Sequence, residues 1–137
     1  MSWTREAFAA WLDRYGAAWE SKDTPAFAAL FTDDCAYYWT PLEPPYVGPP
    51  AIAGAFRHAV STQESIHFDA SIVSVDAQNG VARWICTFTR QPEGHGVYLN
   101  GILVARAEAG AAATGGVCCA EFREWWHREE PSSRVKP

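Results

Sequence analysis

The sequence has no run of basic residues, no long apolar segment and no recognisable leader. Eleven Lys and Arg against sixteen Asp and Glu give a net charge of -5, which argues against nucleic acids and anionic membranes as partners. No apolar run approaches the roughly 18 residues of a membrane-spanning helix. The first twenty residues lack the basic and then apolar pattern of a signal peptide. Together these absences predict a cytoplasmic protein that binds neither nucleic acid nor membrane.

Metal-binding spacing is also missing. No two of the four cysteines form a CxxC pair and the four histidines are scattered, so we expect no metal and no cofactor. Three of the cysteines lie in apolar segments and are interpreted as reduced, buried thiols. Cys118 and Cys119 are adjacent, and adjacent side chains of a strand point to opposite faces. A joint role for this pair is therefore not expected.

Aromatic residues are the abundant class. Seven Trp, seven Phe and five Tyr among 137 residues predict an aromatic-lined cavity or a large interface rather than a purely aliphatic core. The chain is 48% hydrophobic and 20% charged, which is typical of a globular protein. Its length suits a single domain, which we place at residues 1–128. The polar residues 129–137 are expected to form a frayed tail.

The first half of the chain predicts three helices and one strand. Residues 3–21 carry an apolar stripe at helical spacing. Asp23 caps a second helix, which starts at Pro25 and runs to about residue 31. A strand over 35–40 precedes a loop at 41–50 that contains five prolines, and a third helix begins near residue 50. The apolar stripe of the first helix consists of Phe8, Trp11, Leu12, Tyr15, Ala18 and Trp19.

The second half alternates with period two, the pattern of half-buried strands. It begins near residue 64, where Ile66 and Phe68 alternate with His67 and Asp69. The resulting order ααβαββββ predicts an α+β fold in which a curved antiparallel sheet wraps around the long first helix and leaves a cone open at one end. The remaining strands are predicted over 81–90, 97–107 and 117–127, separated by turns at 79–80 and 92–96 and by a loop at 108–116.

The last segment, VCCAEFREWWH at 117–127, is interpreted as a strand that the rest of the chain packs around. A buried carboxylate without a partner is costly, so Glu124, between Phe122 and Trp126, has either a partner or a function. The alternative is a helix over 121–130, since Glu, Arg and Trp tolerate one. As a strand, the segment puts Cys118, Ala120, Phe122, Glu124 and Trp126 on one face and Cys119, Glu121, Arg123 and Trp125 on the other.

Several short motifs accompany this element order. They are TyrGlyAlaAlaTrp at 15–19, AlaLeuPhe at 29–31, AspAspCys at 33–35 and the closing GluTrpTrp at 124–126. With them the chain resembles the nuclear transport factor 2-like superfamily, and in particular its SnoaL-like branch, over about residues 3–128. The resemblance implies a cone-shaped pocket between helix and sheet, and dimers formed through the outer sheet face. It does not select an activity, because the superfamily includes isomerases, dehydratases, epoxide hydrolases, polyketide cyclases and non-catalytic binding proteins.

Among the families that the resemblance brings in, ketosteroid isomerases offer catalytic residues to compare. Their helix-1 tyrosine falls on Tyr15. Their base, an Asp that ends the first strand, falls on or beside Trp39, and their protonated Asp falls at about Leu103. Two of these three positions are apolar here, so no carboxylate remains at them to carry a proton between carbons. That particular isomerase chemistry is therefore not expected.

Glu124 and Tyr15 are the first candidate catalytic residues. Desolvation beside Trp126 would raise the pKa of Glu124 and make it a general acid or base near neutral pH. Alternatively, Glu124 forms a structural pair with Arg106, Arg90 or His127. Tyr15 either points its hydroxyl into the pocket or is a core aromatic whose hydroxyl bonds to the backbone.

His67 and Asp69 are a second candidate pair, because a histidine oriented by a carboxylate is a common general base. If the Ile66 and Phe68 face points inward, both are instead solvated. The remaining candidates are apolar side chains that would bind a ligand or fill a core. They are Trp11, Trp19, Trp39, Phe56, Trp84, Phe88, Leu103, Phe122 and Trp126.

Two functions are compatible with these residues. The first is an enzyme that acts on a small, mostly apolar metabolite by cofactor-independent acid–base chemistry, of the isomerase, cyclase, dehydratase or hydrolase type. The second is a non-catalytic module that binds a small molecule or dimerises. Val81, Ile85 and Trp125 lie on faces opposite the expected pocket, and exposed apolar area of this kind predicts a homodimer.

Overall fold

The computed structural model describes residues 2–109 and 117–131. Within these ranges the chain forms three helices and six strands, and the predicted α+β fold is confirmed. Most of the predicted loop at 108–116, and residues 132–137 of the predicted tail, lie outside the described residues. The elements are α1 (Arg5–Ser21), α2 (Thr24–Ala28), β1 (Phe31–Tyr38), β2 (Tyr46–Val47), α3 (Pro49–Val60), β3 (Gln63–Val75), β4 (Asn79–Arg90), β5 (Gly96–Ala109) and β6 (Val117–Glu129).

Helix α1 begins and ends with side-chain and backbone caps. The hydroxyl of Thr4 accepts a hydrogen bond from the Ala7 N–H, and Lys22 closes the helix in the left-handed conformation at φ 57°. Gly16 allows α1 to lie close to the sheet, because a Cβ there would stand 2.7 Å from the ring of Phe68 in β3. The predicted apolar stripe is buried at Phe8, Trp11, Leu12, Tyr15 and Ala18.

Helix α2 and strand β1 differ from their predicted bounds. The helix was predicted to reach about residue 31, yet it ends at Ala28 and the strand already begins at Phe31. Phe31 is buried and pairs with Cys119 of β6, so a contact distant in sequence overrides the local helical pattern. The proline loop also contains the two-residue strand β2, whose Val47 pairs with Ala36 of β1.

The six strands form one curved, unclosed sheet in the order β2-β1-β6-β5-β4-β3. Strands β3 to β6 are an antiparallel meander, as predicted. Strand β1 instead runs parallel to β6, with Tyr37 beside Phe122, so the prediction of a purely antiparallel sheet is wrong for this pair. A parallel neighbour requires a long connection, and residues 39–116, more than half of the chain, separate these two strands.

A β-bulge at Ala120 changes the alternation of β6. Arg106 of β5 pairs with Glu121, but the next residue, Ala107, pairs with Cys119, which leaves Ala120 as an extra residue. Cys119 therefore shares the inner face with Phe122 and belongs to the core. The prediction that Cys118 lies on the face of Phe122 is wrong, because regular alternation does not hold across the bulge.

The described chain stays ordered past the predicted domain end at 128. Glu130 is 5% exposed, and its carboxylate binds Arg90 through two hydrogen bonds of 3.0 and 3.1 Å. The polar composition of 129–137 thus concealed a residue that belongs to the folded domain. None of the helices in the described ranges has the length and apolar character needed to cross a membrane.

Candidate functional site

A cavity of about 300 Å³ lies between α1, α3 and the inner face of the sheet. Its volume is at the lower end of the range for small-molecule sites. Nine of its nineteen lining residues are Phe, Trp or Tyr, and Tyr15 and Glu124 both border it. Six of the nine predicted ligand-binding residues line the cavity, namely Trp19, Trp39, Phe56, Trp84, Phe88 and Trp126.

Glu124 is the buried carboxyl group of this cavity. Its side chain comes from the inner face of β6 and is 5% exposed. Within the described residues no Lys, Arg or His forms an ion pair with it, since Arg90 pairs with Glu130 and Arg106 lies near Glu108. Burial raises the pKa of Glu124 to about 8, and the hydrogen bond from Tyr37 offsets only part of this effect.

Tyr37 and Tyr15 connect to Glu124 through their hydroxyl groups. The Tyr37 hydroxyl donates to Oε2 of Glu124 at 3.5 Å, and the hydroxyl oxygens of Tyr15 and Tyr37 are 3.0 Å apart. Burial, and then the charge of Glu124, raise the pKa of both tyrosines well above the usual value. Both hydroxyls therefore stay protonated, and Tyr15 can donate to Tyr37 while Tyr37 donates to Glu124.

The aromatic side chains hold these hydroxyls in place. Phe122 stacks on Tyr37 with 4.5 Å between ring centroids and on Tyr15 with 5.5 Å. Trp11 also stacks on Tyr15, with 5.3 Å between ring centroids. Because the rings are packed on several sides, the hydroxyl chain is a fixed part of the cavity wall.

A family model for the SnoaL-like domain matches residues 12–114. The chain belongs to the SnoaL-like domain family. No curated protein matches its sequence. Solved structures extend the likeness over nearly the whole length of this SnoaL-like domain.

Three of these structures illustrate the range of relatives. The ketosteroid isomerase-like protein from Erwinia carotovora atroseptica SCRI1043 is 22% identical, covers 87% of this chain and 92% of its own, and gives a TM-score of 0.64. The Δ5-3-ketosteroid isomerase from Mycobacterium sp. is 16% identical, with 89% and 96% covered and a TM-score of 0.69. The hexachlorocyclohexane dehydrochlorinase LinA-type3 from Novosphingobium barchaimii LL02 is 12% identical, with 92% and 88% covered and a TM-score of 0.73. At these identities the likeness shows a shared fold.

Three of the predicted ligand-binding residues do not line the cavity of this SnoaL-like domain. Trp11, Leu103 and Phe122 are each 0% exposed and belong to the closed core. They share the inner faces of α1, β5 and β6 with lining residues but lie deeper in the cone. The sequence pattern indicates which face a residue occupies, whereas depth along the cone depends on how the sheet curves.

The predicted pair His67 and Asp69 lies away from the cavity. Both side chains are exposed on the outer face of β3, where Asp69 is opposite Ile85 of β4. Ile66 is buried on the inner face, so the alternation of β3 turns the odd-numbered polar residues outward. The structure thus does not bring this pair together with Tyr15 and Glu124.

Trp84 has a polar atom without a partner in the cavity wall. Its side chain is 3% exposed, and among the buried side-chain nitrogens and oxygens of the described chain its indole Nε1 alone lacks a hydrogen bond. The neighbouring indoles are satisfied, since Trp19 donates to Gln63 and Trp126 donates to the carbonyl of Trp39. A buried N–H left without a hydrogen bond is costly, and protein atoms enclose this one.

Charged groups occur at the open end of the cavity. Arg90, Arg128 and His58 are lining residues there, and Glu130 joins the two arginines through contacts of 3.0 and 3.5 Å. His95 also binds Glu130, at 2.7 Å. These cations and hydrogen bonds lower the pKa of Glu130 to about 2, against the effect of its burial.

Tyr37 is the functional candidate that the sequence did not predict. In the strand predicted over 35–40 it alternates with Cys35 and Trp39, a spacing that puts all three on one face and was the available signal. The comparison with isomerases drew attention to Trp39 alone. In the described residues no group of three or more His, Cys, Asp and Glu side chains could hold a metal ion. Glu124, Tyr15 and Tyr37 supply one carboxyl and two linked hydroxyls to the cavity lining.

Proposed function

We propose that this SnoaL-like protein is an enzyme that moves a proton on a small, mostly apolar ligand without a cofactor. The observation that carries the proposal is Glu124, a carboxyl group that borders an aromatic cavity, has no ion-pair partner among the described residues and is connected to two hydroxyls. Natural proteins rarely bury such a group without function.

The raised pKa of Glu124, to about 8, suits it to both directions of proton transfer. A general acid or base works best when its pKa lies near the pH at which it operates. As a carboxylate, Glu124 takes a proton from a carbon next to a ligand carbonyl. Once protonated, it returns that proton to another atom of the ligand, while Tyr37 remains hydrogen-bonded to it.

The position of Glu124 also supports acid–base chemistry. Glu124 pairs directly with Leu103 across strands β5 and β6. Leu103 stands where the resemblance to ketosteroid isomerases implies a protonated carboxyl group, so Glu124 supplies a carboxyl next to that position from the neighbouring strand. Relatives of this fold include an isomerase and a dehydrochlorinase.

The second candidate function is a binding module that holds its ligand unchanged. It is favoured by the apolar residues Trp39 and Leu103 at the two carboxylate positions of the isomerases. In that case, Glu124 orients a ligand by a hydrogen bond but takes no proton from carbon.

We also propose that two copies associate through the outer face of the sheet. Trp125 is 44% exposed, Val73 55% and Tyr98 39%, and the aliphatic residues Ile85 and Ile102 lie between them on the same face. An apolar surface of this kind is typical of an interface. A twofold dimer would bury the same face of both copies.

Hydrogen–deuterium exchange tests the proposed activity. A panel of cyclic ketones and enones is incubated with the protein in D2O, and exchange at the carbon beside the carbonyl is followed by NMR. We expect catalysed exchange in the wild type and its loss by about 100-fold or more in Glu124→Gln. Glu121→Gln is the matched control, since Glu121 lies on the same strand but pairs with Arg123, and it should exchange at the wild-type rate.

Two results would decide against the enzyme. If Glu124→Gln exchanges as fast as the wild type, Glu124 is not the proton carrier. If ketones bind, as measured by the quenching of tryptophan fluorescence, but no exchange occurs with any of them, the binding module is the better description.

A further inference from the structure

The charges around the cavity are distributed unevenly. The protein as a whole has a net charge of -5, yet the ionisable lining residues at the open end are Arg90, Arg128 and His58. The acidic lining residue is Glu124, whose raised pKa of about 8 keeps it largely neutral at pH 7. A cavity with a largely uncharged inner wall and a cationic rim is complementary to a ligand with an uncharged body and an anionic end.

Arg90 is the fixed cation of this rim. Its Nε and Nη2 bind the two oxygens of Glu130, and its Nη1 donates to Thr62 at 3.0 Å. Its guanidinium also lies over the ring of Phe88, 5.1 Å from the centroid. All three guanidinium nitrogens therefore already have hydrogen-bond partners. Arg90 contributes positive charge to the rim but is held in place and cannot reorient towards a ligand.

Arg128 is the adaptable cation. Its Nε lies 3.5 Å from a carboxylate oxygen of Glu130, and its side chain is 46% exposed. Its terminal nitrogens make no hydrogen bond to another described residue. The two arginines against the single carboxylate of Glu130 leave one positive charge in excess. Arg128 thus presents the two donors of its guanidinium fork at the mouth, where a carboxylate can accept both.

The strand geometry sets the distance between this cation and the floor. Glu124, Trp126 and Arg128 are successive inner-face residues of β6. At about 3.3 Å per residue, Glu124 and Arg128 are separated by roughly 13 Å along the strand. Trp84 lies in the intermediate row, because it pairs with Gly101 and Gly101 pairs with Trp126.

From this arrangement we infer that the ligand is an anionic amphiphile, with a flat apolar body in the cavity and a carboxylate or similar anion that binds Arg128 at the mouth. The inference shares the cavity of the proposed function and specifies its ligand class. Anion binding at Arg128 does not require that Glu124 transfer a proton, so the two can be tested apart.

A matched pair of probes tests the inference. 6-Acetyl-2-naphthoate carries a ketone at one end and a carboxylate at the other, and 6-acetyl-2-naphthamide has the same shape without the charge. We expect the wild type to bind the acid at least about tenfold more tightly than the amide at low salt, the value of one charge-assisted hydrogen bond. The ratio should fall as salt is added.

Arg128→Gln should reduce this ratio to about one without changing the affinity for the amide. Arg123→Gln is the control that removes the same charge from the outer face of β6, where Arg123 lies over Tyr38, and it should keep the ratio. If the wild type binds acid and amide equally, or binds neither, the inference is overturned. It is also overturned if Arg128→Gln leaves the ratio unchanged or weakens both probes to the same extent.

Glu124→Gln separates this inference from the proposed function. The variant should keep the preference for the acid and lose only the exchange of the acetyl hydrogens with D2O. A preserved preference without exchange in any variant, the wild type included, supports anion recognition and contradicts the enzyme.

Discussion

Replacing Glu124 with glutamine should make the stability of the protein less dependent on pH. The folded state holds the proton of Glu124 more tightly than the unfolded chain, because its pKa rises from 4.5 to about 8 on folding. As pH rises through this window, the unfolded chain releases the proton first, so the free energy of unfolding of the wild type decreases. Glutamine has nearly the same shape and does not titrate, so the variant lacks this contribution.

The size of the effect follows from the shift in pKa. One unit corresponds to about 1.4 kcal/mol. Between pH 5 and pH 8 the unfolded chain is largely ionised at Glu124, whereas the folded protein reaches half ionisation only near the upper limit. The wild type should therefore lose about 3 to 4 kcal/mol relative to Glu124→Gln over this interval. Such a change is a large fraction of the stability of an ordinary domain.

Urea unfolding of both proteins at pH 5, 6, 7 and 8 measures this difference, with tryptophan fluorescence as the signal. Subtracting the two curves removes the titration of all other groups, as long as both variants unfold in two states with equal m-values. Glu121→Gln serves as the control, because its side chain is 33% exposed and lies beside Arg123. Its stability relative to the wild type should change far less over the same interval.

A constant difference between wild type and Glu124→Gln from pH 5 to pH 8 would refute the reasoning. It would mean that Glu124 has found a cation or water that stabilises its charge. A difference that grows in the opposite direction, with the wild type gaining stability as pH rises, would mean that Glu124 is ionised in the folded protein throughout. Either result would remove the basis for its role as a general acid or base.

Three further predictions concern other parts of the molecule. In thermal unfolding, Trp84→Phe should lower the free energy of unfolding by less than about 1 kcal/mol, because it removes an unsatisfied N–H. Trp11→Phe loses a 3.1 Å hydrogen bond to the Leu30 carbonyl, so it should lower the free energy of unfolding by about 2 kcal/mol or more. Glu130 has a pKa lowered to about 2, so the stability that its charge contributes is complete above pH 4.5 and disappears as pH falls towards 2. At pH 7 the wild type should be about 2 kcal/mol more stable to unfolding than Glu130→Gln. At pH 3 this difference should be smaller. Light scattering at tens of micromolar should give a dimer for the wild type and a monomer for Trp125→Asp, and a wild-type monomer would contradict the proposed interface.

Local patterns predicted those parts of the fold in which neighbours in sequence decide the outcome. The helical stripe of α1 from Phe8 to Ala18 is buried as expected. The period-two pattern of β4 places Trp84 and Phe88 on the inner face, where they line the cavity. Glu124 also lies where its alternation with Phe122 and Trp126 predicted, because all three residues follow the bulge.

The features that escaped prediction depend on contacts between distant segments. The parallel pairing of Tyr37 with Phe122 joins two segments that are far apart in the sequence, and it brings the Tyr37 hydroxyl to Glu124. Glu130 reads as part of a polar tail until Arg90 and His95 are known to surround it. The depth of Trp11 and Leu103 in the cone depends in the same way on the curvature of the whole sheet.

The bulge makes Ala120 an extra residue of strand β6, one that the pairing with β5 does not need. Cys119 and Phe122 hold the strand to the core on either side of it, and Glu124 lines the cavity two residues further on. Deleting Ala120 would restore regular alternation between Cys119 and Phe122, so the wall would keep its orientation. Removing Arg123 instead would turn Glu124 to the outer face. A one-residue deletion at Ala120 therefore leaves the cavity wall in place, whereas the same deletion at Arg123 removes the Glu124 carboxyl from the cavity.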